Sequence, residues 1–208
     1  MLKKAKVIIS IVISMIIFAL EIYCLIKNID YLVKGGENNK YRYYTNIANL
    51  VVGFICLANA IVLLIGLSKN NGYYPISLSI IKFIGISMIT LTFFMVLCFV
   101  PVYGFKRTYG NDKLITHLIV PVLVVTSYLF FEEKKLFRWK WSLLAIAPLI
   151  IYCVVYIINV ICLHTWPDLY RVNKKGIWFV FVLIAVVSNF AVSQGLFFLK
   201  KFIDRVLN

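Results

Sequence analysis

Charge is scarce in this chain. Charged residues make up 14% of its 208 positions, and only eight of them are acidic, against 22 Lys and Arg. A soluble domain carries about a quarter charged residues, so a water-soluble fold is excluded. Paired cysteine spacing is also missing. Cys24, Cys56, Cys98, Cys153 and Cys162 all lie inside apolar stretches, which excludes a zinc or redox motif and leaves them as small packing residues. The roughly 10-residue alternating segments of a membrane barrel are absent. So are tandem repeats, low-complexity tracts and any linker long enough for a second domain. Lys3, Lys4 and Lys6 precede an apolar run as in a secretory signal, but Glu21 and Tyr23 stand where a small-x-small cleavage site would be. The run is expected to be retained as a first helix.

What the chain has in abundance is apolar length. Hydrophobic residues reach 62% and the mean hydropathy is +0.93. The pattern predicts an all-α polytopic membrane protein, a single domain over 1–208 built as a bundle of six transmembrane helices. They are placed at about 7–26, 45–67, 76–101, 114–131, 142–163 and 177–199. Each is long enough, at roughly 1.5 Å per residue, to approach the ~30 Å hydrocarbon core. Helices are required because lipid offers the backbone no hydrogen-bond partner. Tyr41, Tyr43, Tyr44, Tyr73, Tyr74, Trp139 and Trp141 flank the spans as an interfacial belt.

The excess of 14 positive charges is spread over all loops and both termini. Its expected partner is therefore the anionic headgroups of membrane lipids, and no nucleic acid. The basic residues divide almost evenly between the two faces. A small excess on the side of the termini, with Lys82, favours both termini in the cytoplasm. The Ile, Lys and Asn content is compatible with an AT-rich bacterium, and the expected location is a bacterial plasma membrane.

Polar groups at membrane depth are costly and are functional candidates by default. Six alternating helices place the first, third and fifth loops on one side, the odd-loop face. Glu21 ends helix one there, Thr45, Asn46 and Asn49 open helix two, His117 lies in the first turn of helix four, Asn159 and His164 close helix five, and Asp168 follows in the loop. Each has a plainer role available. Thr45 can cap helix two, His117 can satisfy a neighbouring helix as a neutral imidazole, and Glu21 can snorkel. Thr45 and Asn49 share a helix face, and Pro121, four residues after His117, is expected to kink helix four. On the opposite side, Asn59, Asn189 and Gln194 read as interhelical hydrogen-bond partners, and Lys82 as a residue snorkelling to the headgroups.

The segment Tyr41-Arg42-Tyr43-Tyr44-Thr45-Asn46-Ile47-Ala48-Asn49, with Leu114-Ile115-Thr116-His117-Leu118-Ile119-Val120-Pro121 about seventy residues later and Trp166-Pro167 after helix five, resembles the androgen-inducible membrane threonine hydrolase family and its six-helix bacterial relatives. Two positions depart from the bacterial pattern. Ser127 and Tyr170 stand where acidic residues are common, with Asp168 available to substitute for the second. The resemblance implies a membrane-embedded hydrolase of a lipid acyl ester, similar to those acting on fatty acid esters of hydroxy fatty acids. It assigns Thr45 as nucleophile and His117 as general base. A threonine hydroxyl needs such a base within hydrogen-bond reach, directly or through one water. Asn49, and after it Asn46, are candidates to bind the substrate carbonyl or oxyanion. Glu21, Asn159, His164 and Asp168 are supporting candidates, and no metal or cofactor is expected. The alternative is a non-enzymatic lipid-binding protein or small integral subunit of a membrane assembly. A transporter is disfavoured by the lack of an inverted repeat and of Gly/Pro-broken paired helices, and by too few buried charges to couple ions.

Overall fold

A computed structural model describes residues 2–30, 40–69, 74–110, 113–132, 138–171, 173 and 176–206. Each long apolar run closes its hydrogen bonds within itself, as lipid requires. The helices are α1 (Leu2–Lys27), α2 (Tyr44–Ser68), α3 (Ile76–Tyr103), the short α4 (Phe105–Tyr109), α5 (Val120–Thr126), α6 (Trp141–Leu144), α7 (Ala147–Ile157) and α8 (Trp178–Val206). Wider π-turns flank α5 at Ile115–Ile119 and Ser127–Phe131, and another, Ile158–Cys162, follows α7. Among the described residues there is no β-strand.

Five helical segments are long and apolar enough to cross a membrane, and the shorter apolar stretch Ile115–Phe131, the fourth segment in chain order, brings the total among the described residues to six. The chain is an all-α, multi-pass membrane protein. Local chemistry sets the departures from the expected boundaries. Pro148 lacks an N–H and crowds the preceding turn, so the fifth segment breaks between α6 and α7. The sixth runs on to Val206 because Lys200, which ends the apolar run in sequence, is itself buried.

α1 packs on α2, α2 on α3, and both α1 and α3 on the fourth segment, so α2 and the fourth segment occupy opposite corners of a four-helix group. Ile17, Val52, Phe83, Ile86, Val120 and Tyr128 fill its centre. A smaller cluster of Tyr44, Ala48, Met88, Leu91 and Leu149 lies toward the odd-loop face. α8 closes the bundle against α3, α7 and the second π-turn. Phe54, Leu64, Ile151, Leu183 and Phe202 point outward, as a lipid-facing surface requires. α1 meets α2 closely because of Gly53, where a Cβ would stand 2.9 Å from Glu21 Cβ and 3.2 Å from its Cγ. Gly53→Val is therefore expected to cost about 1–3 kcal/mol by overpacking, read as a lower unfolding midpoint in detergent. An unchanged midpoint would mean that α1 and α2 are free to separate.

The even-loop half holds more charge than the sequence suggested. Lys82 does not snorkel. Its side chain is 3% exposed and its Nζ lies 2.8 Å from Glu132 Oε1. Lys200 Nζ donates to the carbonyls of Leu129 (3.2 Å) and Glu132 (3.0 Å) and pairs with Asp204 at 2.8 Å. Those carbonyls end the fourth segment, where a helix leaves its last acceptors without intrahelical donors. Two buried lysines thus tie α3, the fourth segment and α8 together. Asn59 and Asn189 act as expected: Asn59 Nδ2 donates to Ser14 Oγ at 2.9 Å, and Asn189 Nδ2 to the Ala145 carbonyl at 2.9 Å.

Candidate functional site

Thr45 occupies the first turn of α2, half-buried. The helix is capped from outside. Tyr43, at the cap position, makes no side-chain cap bond, and the Tyr44 N–H donates instead to the Tyr170 hydroxyl at 2.9 Å. Thr45 is therefore not the cap, and among the described residues its hydroxyl makes no hydrogen bond.

Tyr170 belongs to the fifth loop, which a tyrosine cluster holds over α2. Tyr152 Oη donates to the Arg42 carbonyl at 2.7 Å. Tyr156 Oη donates to Asp168 Oδ1 at 3.0 Å and accepts the Tyr170 N–H at 3.1 Å. The Asn173 N–H reaches Asp168 Oδ2 at 2.9 Å, and the Arg42 guanidinium stands 5.7 Å from the centre of the Trp166 ring. Burial raises the Tyr170 phenol above its ordinary pKa, so the hydroxyl keeps its proton while accepting from Tyr44. Asp168 acts here as the loop's internal acceptor. Tyr170→Phe leaves the Tyr44 N–H without its partner, a loss of about 1–3 kcal/mol for a buried group. The expected readout is faster amide hydrogen exchange in the first turn of α2, with little change in the first turn of α8.

Asn49, one turn below Thr45, is 1% exposed. Its Nδ2 donates to the Thr45 carbonyl at 2.8 Å. A carbonyl only accepts, so the amide orientation is fixed, and Oδ1 is left buried without a partner. Asn49 thus offers the interior an unmet acceptor, with the second Nδ2 proton as its remaining donor. Asn46 is half-buried on the same turn.

His117 sits within the first π-turn of the fourth segment. Pro121 explains the widening: it supplies no N–H to the His117 carbonyl, and the Val120 N–H bonds back to Ile115 instead. π-turns of this kind occur frequently at functional sites. His117 Nδ1 lies 3.0 Å from the Thr108 carbonyl oxygen. That oxygen can only accept, so Nδ1 carries the proton and, in the neutral ring, Nε2 holds the lone pair. The bracket is α4, which departs from α3 at Gly104, with φ 78 and ψ 157, backbone angles open essentially to glycine alone. Thr108 Oγ1 bonds back to the Gly104 carbonyl at 2.9 Å. A main-chain carbonyl takes the orienting part that a carboxylate plays elsewhere.

The other candidates divide by role. Glu21 is 4% exposed, its Oε1 has no partner, and its stem rests on Gly53. Asn159 ends the fifth segment: Nδ2 bonds the Val155 carbonyl, Oδ1 accepts Thr165 Oγ1 at 2.7 Å, and its carbonyl accepts the Thr165 N–H at 2.9 Å. His164 adopts a left-handed φ of 52 at that helix end. Thr45, Asn49 and the Asp168 loop are brought together at α2. His117 lies beyond, toward α1, α3 and α4, and among the described residues no hydrogen bond joins it to Thr45. No group of three or more His, Cys, Asp or Glu side chains among the described residues is placed to hold a metal. Tyr170 was missed as a site residue because its role is to accept a backbone proton across the fold. The four-residue spacing of Tyr152 and Tyr156, on one helix face, was the available signal.

Compared with models of protein families, with curated proteins and with solved structures, the chain matches none.

Proposed function

We propose that the chain is a membrane-embedded hydrolase of a lipid acyl ester, with Thr45 as nucleophile and His117 as general base, in line with its resemblance to the androgen-inducible threonine hydrolases. The observation that carries this reading is the His117–Thr108 hydrogen bond at 3.0 Å. It fixes the tautomer a base requires, in the turn that sequence alternation sets at the depth of Thr45.

In the proposed reaction His117 Nε2 takes the Thr45 hydroxyl proton, directly or through one water, as Oγ1 attacks the ester carbonyl carbon. The remaining Asn49 amide proton and Asn46 are the candidate donors to the tetrahedral oxyanion. Collapse expels the alcohol, which leaves with the proton held on His117. Water, deprotonated by the same imidazole, then attacks the acyl-threonine, releasing the fatty acid and restoring the hydroxyl. The acyl chain enters sideways from lipid, and water enters from the odd-loop face. In this proposal the protein resides in a bacterial plasma membrane with both termini in the cytoplasm and the odd loops outside.

The test is turnover of a medium-chain acyl ester by detergent-purified protein. Hydrolysis by the natural chain that disappears in Thr45→Ala is the expected result, and equal rates in both would remove Thr45 from the chemistry. A non-catalytic lipid-binding protein or integral subunit is the second reading. It is favoured by the absence, among the described residues, of a Thr45–His117 hydrogen bond.

A further inference from the structure

The fifth loop carries a cleft that the proposed reaction does not use. It has a volume of about 400 Å³ and is lined by Val160, His164, Trp166, Asp168, Arg171 and Asn173. That size lies in the ~300–1,000 Å³ range of small-ligand sites. The cleft opens at the odd-loop end of the fifth membrane segment, which places it at headgroup depth. Val160 and Trp166 supply its apolar lining, with the exposed Leu163 close by in the chain. The rest of the lining is polar, with Arg171 as its cation.

Among the described residues the Arg171 guanidinium and the His164 imidazole have no hydrogen-bond or ion-pair partner, and both residues are exposed. Among the described residues no ion pair joins Arg171 to Asp168, whose oxygens accept from Tyr156 Oη and the Asn173 N–H. An arginine with an unused planar fork, in one cleft with an imidazole and apolar side chains, has the chemistry that receives a phosphodiester joined to a glycerol backbone.

We propose that this cleft binds the phosphate of a membrane phospholipid headgroup, with Arg171 and His164 as its ligands and the lipid backbone against Trp166 and Val160. The site is independent of hydrolysis at Thr45. An ether-linked lipid, which has no ester to cleave, therefore tests it separately.

The experiment measures binding of short-chain ether-linked phosphatidylglycerol to the full-length detergent-purified chain by native mass spectrometry. The matched ether-linked diglyceride without phosphate, and inorganic phosphate alone, serve as comparison ligands. Arg171 has a left-handed φ of 53, so Arg171→Asn removes the charge with a residue that tolerates this backbone. His164→Asn removes the imidazole at φ 52, again with a residue that tolerates this backbone. Lys106→Gln removes one charge from an exposed position in the third loop, on the same face. Expected are a weakening of about tenfold or more in either cleft variant, unchanged binding in Lys106→Gln, and little binding of the diglyceride. Equal affinity in the natural chain and both cleft variants, or equal loss in Lys106→Gln, would overturn the site. Inorganic phosphate binding as tightly as the lipid would overturn the lipid assignment.

Discussion

Lys82→Met is expected to lower the unfolding midpoint of the detergent-purified protein by on the order of 10 °C. Lys82 is 3% exposed and its partner Glu132 14%, so both charges are largely withdrawn from water. Removing one member of such a pair leaves the other desolvated and unopposed, which typically costs about 3–5 kcal/mol. For a chain of this size each kcal/mol moves the midpoint by about 2–4 °C. The control is Lys82→Met with Glu132→Leu. Replacing both members of a buried pair by apolar groups is often neutral, so the double variant is expected to recover most of the loss. A single variant as stable as the natural chain would mean that the pair is hydrated and does not hold α3 to the fourth segment.

Thr45→Ala is expected to abolish ester hydrolysis, and His117→Ala to slow it by about 10²–10⁴-fold, the usual share of a general base. Thr45→Ser keeps a hydroxyl and is expected to retain measurable turnover. Thr108→Val is expected to leave the rate within a few-fold of the natural chain, because the Thr108 carbonyl, not its side chain, holds His117 Nδ1. These expectations separate chemistry from packing. A purely structural His117 would lower stability in step with activity, whereas a base lowers the rate while the unfolding midpoint is held.

Much of the fold was legible because the bilayer leaves the chain few choices. A long apolar run can only be a helix, and alternation alone carries Thr45, Asn49, His117 and Asn159 to one face. The less legible features all involve partners distant in sequence. Lys82 and Glu132 are fifty positions apart, and with Lys82 near a membrane boundary, snorkelling was the simpler expectation. Lys200 ended an apolar run in sequence yet sits inside the fold, with carbonyls and Asp204 around it. The site divides the same way. Pro121 announced a disturbance beside His117, but not that a π-turn absorbs it or that the Thr108 carbonyl sets the imidazole. Thr45 was legible as a candidate, whereas the cap that relieves it of a structural duty comes from Tyr170, 126 residues away from Tyr44.

The most direct measurement is site-mapped mass spectrometry of the purified chain after reaction with a fluorophosphonate hydrolase probe. A single adduct on Thr45 is expected, absent in Thr45→Ala and strongly reduced in His117→Ala. An adduct of equal intensity in all three proteins, or one mapped to another residue, would contradict it.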